Sequence, residues 1–179
     1  KIDYLINNAG FGIYGNSTEL DWEKESAMYQ LNMISLAYLT KHFSIQMTKN
    51  GFGRILNVAP IAAFQPLPFM AGYAASKAFV LSLSQALNEE LKKQNVYVST
   101  LCPGVTESKF HNTANTEKKL LGASFFPVAT AQEVAQYGYK LLMSGKNIGI
   151  YGLLNRIQIG LLRFIPRAFI VKIVGIMMK

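Results

Sequence analysis

At 179 residues the chain is long enough for one domain with a sizeable core, and its 50% apolar content excludes the disordered and low-complexity classes. A single cysteine, Cys102, excludes an internal disulfide and a multi-cysteine zinc site, and with only His42 and His111 as histidines no metal is expected. The net charge of +8 is unevenly placed: residues 1–95 carry 8 basic and 7 acidic side chains, residues 96–179 carry 10 and 3, and from Lys146 onward there are six basic residues and no acidic one.

Such a surface attracts anionic partners. Nucleic acid is not expected, because the basic residues are interleaved with Leu, Ile and Phe rather than arrayed in a polar stripe. The lone cysteine suits a reducing compartment, and the cytoplasm is the expected location. The chain opens Lys1-Ile2-Asp3, without an initiator Met or a signal segment, and reads as truncated at its N-terminus.

Asp3-Tyr4-Leu5-Ile6-Asn7-Asn8-Ala9-Gly10 predicts a short buried strand, over 2–7, that ends in a turn. Gly10, Gly12 and Gly15 mark a loop, and Thr18 or Asp21 can cap a helix that runs to about Asn50-Gly51. Arg54 to Ala59 predicts a second strand, followed by a loop with Pro60, Pro66 and Pro68. From Tyr73 to Lys93 the pattern is helical, with Phe79, Leu83, Leu87 and Leu91 on one stripe. Val96 to Leu101 is β-branched and compact, a third strand ended by Pro103-Gly104. Residues 105–128 lack a period, and a loop this long in a compact domain is usually functional. Thr130 to Met143 predicts a helix and Asn147 to Tyr151 a last strand. Strands alternating with helices imply a parallel sheet covered on both faces.

Tyr73-Ala74-Ala75-Ser76-Lys77 sets a phenol and an ammonium one helical turn apart on one face. A Lys charge favours phenolate and lowers a Tyr pKa, and such a Tyr can pass a proton to or from a carbonyl or alcohol oxygen. Alone the spacing is a weak signal. It gains weight from its neighbours: Asn7-Asn8-Ala9-Gly10 at a strand end, Ile55-Leu56-Asn57-Val58 as a strand ahead of Tyr73, and Pro103-Gly104 after the next strand.

In this order and spacing these features resemble the short-chain dehydrogenase/reductase family, over almost the whole chain and fading after about Gly152. The resemblance implies a Rossmann-type, doubly wound parallel α/β sheet, with residues 1–152 as the C-terminal portion of that domain and 153–179 as an apolar, basic tail. It implies Tyr73 as catalytic acid/base. Lys77 would lower the Tyr pKa and hydrogen-bond the nicotinamide ribose, and Asn32 would hold a water in the proton relay. Asn8, Ala9 and Gly10 match the turn along the adenosine side of the cofactor, where small residues admit a ligand to the backbone. Pro103, Gly104, Thr106 and Ser108 match the segment that folds over the nicotinamide. The cofactor implied is NAD or NADP, with NADP slightly favoured, and the reaction is carbonyl–alcohol interconversion by hydride transfer.

The chain departs from the family's pattern in two ways. The family's Ser thirteen residues before the Tyr is here Pro60, within Asn57-Val58-Ala59-Pro60, and neither Ala59 nor Pro60 carries a hydroxyl. The Gly-rich pyrophosphate turn is absent. Gly10-Phe11-Gly12-Ile13-Tyr14-Gly15 mimics a dinucleotide fingerprint but stands at the family's fourth strand, not its first. Cys102 is expected to be a packed core residue, His42 a helix-surface residue and His111 an exposed loop residue.

Phe110, Leu120, Leu121, Phe125 and Phe126 in the long loop point to a small apolar substrate. In the tail, Arg156 and Arg163 share a helix face, and no stretch reaches the ~18 uncharged apolar residues of a spanning helix. A cover over the substrate pocket, a homo-oligomer contact and a peripheral membrane contact through 153–179 are the readings left open. The competing function is a non-catalytic cofactor-binding or scaffold protein that has lost the Ser. An intact Gly-rich turn upstream of Lys1 would favour an enzyme.

Overall fold

The computed structural model describes residues 1–107 and 128–178. Four parallel strands form the central sheet: β1 (Tyr4–Asn7), β2 (Gly53–Val58), β3 (Val96–Cys102) and β6 (Ile148–Ile150), side by side in that order. The register aligns Asn7 with Asn57 and Val58 with Leu101, so the first three strands end along one edge of the sheet. A short parallel pair, β4 (Thr106–Glu107) with β5 (Ala129–Thr130), brackets the long loop. Ser108, Phe110, His111, Leu120, Leu121, Phe125 and Phe126 lie outside the described residues.

Helices α1 (Trp22–Tyr29), α2 (Leu36–Lys49) and α3 (Ala71–Leu91) precede β3, and α4 (Ala131–Ser144), α5 (Leu153–Leu162) and α6 (Arg167–Met177) follow β5. Asp21 caps α1, its carboxylate accepting from Glu23 N–H at 2.9 Å. Thr130 and Glu133 form a reciprocal capping box on α4. Asn95, in the left-handed conformation after a 3-10 turn over Lys92–Gln94, ends the α3 segment and turns the chain into β3.

The sheet has two unlike faces. On one, Ile55, Val96 and Val98 pack with Met47, Phe43, Leu87 and Leu91, under α2 and α3. On the other, Leu56 and Leu101 pack with Val134, Leu141 and Leu142 of α4. Tyr4 and Ile6 of β1 align with Arg54 and Leu56, yet stay 47% and 56% exposed.

Two expectations need correction. The region read as one helix over 18–50 is broken by a π-helical turn over Gln30–Ser35, which the apolar spacing does not reveal. The stripe Phe79, Leu83, Leu87, Leu91 is not the innermost face of α3. Phe79 is exposed, and the fully buried face carries Tyr73, Ser76, Lys77, Val80, Ser84 and Asn88. Hydrogen bonds make this polar face compatible with burial: Asn88 Oδ1 accepts from Val98 N–H at 3.0 Å, and the Ser84 hydroxyl accepts from Asn57 and donates to the Val80 carbonyl.

Candidate active site

The C-terminal ends of neighbouring parallel strands are where open α/β sheets bind ligands. Here Asn8–Gly10 leave β1, Ala59-Pro60 leave β2 and Pro103-Gly104 leave β3 at that edge. Asn8, Ala9 and Gly10 are all exposed, as an open ligand-facing turn requires. Gly10 is held close to two polar side chains: a methyl group placed on it would lie 2.9 Å from Asn32 Oδ1 and 3.1 Å from Lys77 Nζ. Both polar atoms thus lie near one point and are no more than about 6 Å apart, the span of two hydrogen bonds.

Asn32 sits fully buried in the π-helical turn and grips the loop after β1 from both sides. Its Nδ2 donates to the Phe11 carbonyl at 2.9 Å, and its Oδ1 accepts from Phe11 N–H at 3.2 Å. The same Nδ2 reaches the Ser76 hydroxyl at 3.2 Å, which in turn donates to the Tyr73 carbonyl at 2.7 Å. Asn32, Ser76 and Tyr73 are therefore tied together between the π-helical turn and the first turn of α3. Ser76 is absent from the sequence-based site. Its position three residues after Tyr73, on the same helix face, is the signal that would have found it.

Lys77 is 4% exposed, and its ammonium donates to the Val58 carbonyl at 3.3 Å. No carboxylate pairs with it among the described residues. Burial lowers its pKa to about 8. Tyr73, buried in a cluster with Met28, Leu67, Met70, Ala74 and Met178, has its pKa raised by burial. Both groups are taken out of water, and desolvation penalises phenolate and ammonium alike.

Pro60 adopts φ −60 and ψ 172 and opens a 3-10 turn over Ile61–Phe64, its carbonyl accepting from Ala63 N–H at 2.8 Å. The next residue, Ile61, donates its N–H to the Pro103 carbonyl at 2.9 Å, which fastens the β2 loop to the Pro103-Gly104 turn. Pro60 stands two residues beyond the carbonyl that receives Lys77. Thr106 bonds the Gly104 carbonyl at 3.1 Å. Gly104 and Gly152 pack against Asn155, whose amide donates to the Tyr151 carbonyl at 2.8 Å. A cavity of about 250 Å³ lies there, between Gly104–Val105, Val128–Ala129 and Tyr151–Asn155, and does not include Tyr73 or Lys77.

The Gly10–Gly15 segment opens no helix; α1 starts only at Trp22. Phe11, Ile13 and Tyr14 pack instead on the Tyr73 cluster. Phe69, at φ +65, is a bulky residue in the left-handed region, held there by Gly15 N–H on its carbonyl and by stacking on Tyr14. Cys102 is fully buried and its thiol is pushed up to about 12 by burial, as an inert core residue should be. His42 lies on the exposed surface of α2 beside Tyr38 and Phe43.

The chain matches the short chain dehydrogenase family over residues 1–119. It is 27% identical over 184 residues to a probable short-chain type dehydrogenase/reductase, VdlC, of Helicobacter pylori, covering 93% of this chain and 68% of that protein. It is 30% identical over 140 residues to nodulation protein G of Rhizobium meliloti, covering 75% and 56%. It is 35% identical over 105 residues to an uncharacterized oxidoreductase, YvrD, of Bacillus subtilis, covering 59% of this chain and 40% of that one. The chain thus spans only about half the length of several curated relatives. Among solved structures, a short-chain dehydrogenase from Sphingobium yanoikuyae in complex with NADPH superposes with a TM-score of 0.77 at 28% identity, over 93% of this chain and 67% of that one. A bulky-bulky ketone specific alcohol dehydrogenase from Comamonas testosteroni superposes with a TM-score of 0.70 at 27% identity, over 93% and 65%. With the family matched over more than half of its length, and its parallel sheet shared with solved relatives, this chain belongs to the short chain dehydrogenase family of oxidoreductases.

Proposed function

We propose that the chain supplies the catalytic half of an NAD(P)-dependent oxidoreductase that interconverts a carbonyl and an alcohol. The observation that carries this reading is the convergence of Asn32 and the buried, carboxylate-free ammonium of Lys77 on Gly10 at the strand ends, one helical turn from Tyr73. Lys77 retains donor capacity beyond its bond to Val58, and the small, exposed Asn8–Gly10 turn leaves room beside it. These residues fit the ribose side of a nicotinamide cofactor, with Pro103, Gly104 and Thr106 in the segment over the nicotinamide. When bound, the cofactor supplies or accepts the hydride. Its pyrophosphate cradle is not among these residues, and the cofactor is NAD or NADP, with NADP slightly favoured.

Tyr73 is the proton donor in the reducing direction. Burial keeps its phenol protonated at neutral pH, so the proton needed by the nascent alkoxide is present. Lys77 carries positive charge below about pH 8, stabilising negative charge on the phenol oxygen as that proton leaves. Asn32 fixes the loop after β1, and its Oδ1, no more than about 6 Å from the Lys77 ammonium, is within one-water reach of it. Pro60 offers no hydroxyl to the substrate oxygen, so the reaction is slower than a Ser would allow.

The test is carbonyl-dependent oxidation of NADH and NADPH by the full-length protein across a panel of apolar ketones and aldehydes. Turnover that disappears in Tyr73→Phe, and that declines above about pH 8 as Lys77 loses its proton, is expected. If Tyr73→Phe matches wild type, Tyr73 is not the acid. If cofactor binds but no carbonyl is reduced, the non-catalytic reading replaces this one.

A further inference from the structure

We propose that the two C-terminal helices form a docking surface for an anionic lipid bilayer, lying on it rather than crossing it. Leu153, Ile157 and Leu161 recur every fourth residue on α5, and Phe164 follows one turn later. All are exposed, Leu153 to 70% and Phe164 to 85%. On α6, Phe169, Ile173 and Ile176 form a second exposed stripe at spacings of four and three. A monomeric surface rarely leaves this much apolar area to water without a partner.

The far side of α6 explains why the stripe stays outside. Ile170 and Met178 are buried, and Val174 and Met178 join the cluster that holds Tyr73. The Tyr14 hydroxyl donates to the Met178 carbonyl, pinning the end of the helix to the loop beside the site. The helix is therefore docked by one face, with the apolar stripe on the opposite face. Among the described residues no helix is long and apolar enough to cross a membrane, so the contact is one of lying at the interface.

Charge selects the occupant. Arg163 and Arg167 flank the break between the helices and Lys172 lies beside the α6 stripe, while no acidic residue follows Glu133. A second copy seated on this surface would bring basic residues against basic residues with no carboxylate from the same stretch to pair them, since a two-fold contact repeats the same patch on both sides. An anionic bilayer accepts both components: apolar side chains enter the acyl boundary, and Arg and Lys reach the phosphates.

The test is co-sedimentation of the full-length protein with vesicles of phosphatidylcholine alone or mixed with phosphatidylglycerol. Binding to the mixed vesicles, at least about tenfold weaker on neutral ones and weakened by salt, is expected. Two variants separate the components: Phe164→Ser/Phe169→Ser/Ile176→Ser and Arg163→Gln/Arg167→Gln/Lys172→Gln. Each should lower binding at least about tenfold while melting near the wild-type temperature and leaving any reductase turnover unchanged. Failure to bind mixed vesicles, or equal binding to neutral ones, overturns the proposal. So does a concentration-dependent dimer in sedimentation velocity that the apolar variant abolishes, which would make a second copy the occupant.

Discussion

At Pro60 one side chain decides how fast the proposed chemistry runs. The residue opens a 3-10 turn with φ −60, a backbone geometry that Ser adopts without strain. A donor to a reacting oxygen is worth ~10²–10³ in rate, so Pro60→Ser should raise carbonyl reduction at least about tenfold in the full-length protein. The new hydroxyl would also stand where it could cap Ala63 N–H, now bonded to the Pro60 carbonyl, and a Pro60→Ser/Ala59→Ser pair tests whether a second hydroxyl is needed. No gain from either, above a Tyr73→Phe blank, would mean that another group holds the carbonyl. Lys77 makes a second prediction, of opposite sign for stability. Its folded pKa of about 8 lies below the usual lysine value, so between about pH 8 and the unfolded value the unfolded chain binds the extra proton, and stability rises with pH across that window. Below it, burial of the ammonium is a full penalty, and Lys77→Met should stabilise the nucleotide-free protein at neutral pH by about 1–3 kcal/mol while abolishing turnover. A lower melting temperature for Lys77→Met would show that the Val58 bond outweighs desolvation.

Among the elements, a buried polar ladder joins β1, β2, α2 and α3. Asn7 Nδ2 donates to Thr40 at 3.0 Å and to Asn57 Oδ1 at 2.8 Å, and Asn57 Nδ2 donates to Ser84 at 2.9 Å. Asn57→Leu leaves Asn7 and Ser84 each short of a partner in the core and should lower unfolding stability by about 2–4 kcal/mol in denaturant titration. A loss within a few tenths of a kcal/mol of zero would show that the ladder re-forms through other partners. The ladder also marks the limit of what sequence conveys. Strand positions were legible because Leu5, Ile55 and Val98 sit in short apolar runs bounded by Gly, Pro and Asn, and local chemistry alone ends such runs. The α4 cap was legible because Thr130 precedes Glu133 by three. Non-local events were not: the π-helical turn at Asn32 involves the Phe11 backbone 21 residues away, and Ser76 gains meaning only once Asn32 meets it. The polar inner face of α3 was missed for the same reason. Apolar periodicity points to Phe79 and Leu83, whereas the elements packed on α3 offer hydrogen bonds to Ser84 and Asn88.

Across the molecule, the sheet is covered unevenly, and this sets how the 179-residue polypeptide should behave by itself. α2 and α3 cover one face across β1, β2 and β3, but α4 covers the other over β2, β3 and β6 and not over β1, leaving Tyr4 and Ile6 in water at 47% and 56% exposure. Among the described residues β1 is also an edge of the sheet, paired on one side only. An open edge with β-prone apolar side chains is a template for pairing with another chain. Lys1 and Asp3 supply a little edge charge but do not interrupt the Tyr4–Asn7 ladder, because a surface ion pair contributes little and neither residue lies within the strand. The Sphingobium relative is matched over only 67% of its length, so a longer polypeptide is compatible with this fold. Residues 1–179 expressed alone should therefore self-associate, with sedimentation coefficients that rise with concentration. Tyr4→Lys/Ile6→Lys should reduce that association, because these side chains share one face and a cation there opposes stacking of a second apolar surface, while Leu5 and Asn7, on the covered face, are untouched. Binding of NAD(P)H to the same polypeptide should be weak, since no Gly-rich pyrophosphate turn accompanies the Gly10 and Lys77 cluster. A monodisperse, stable monomer that binds the nucleotide tightly in calorimetry would show that β1 is a tolerated edge and that the strand-end cluster holds the cofactor unaided.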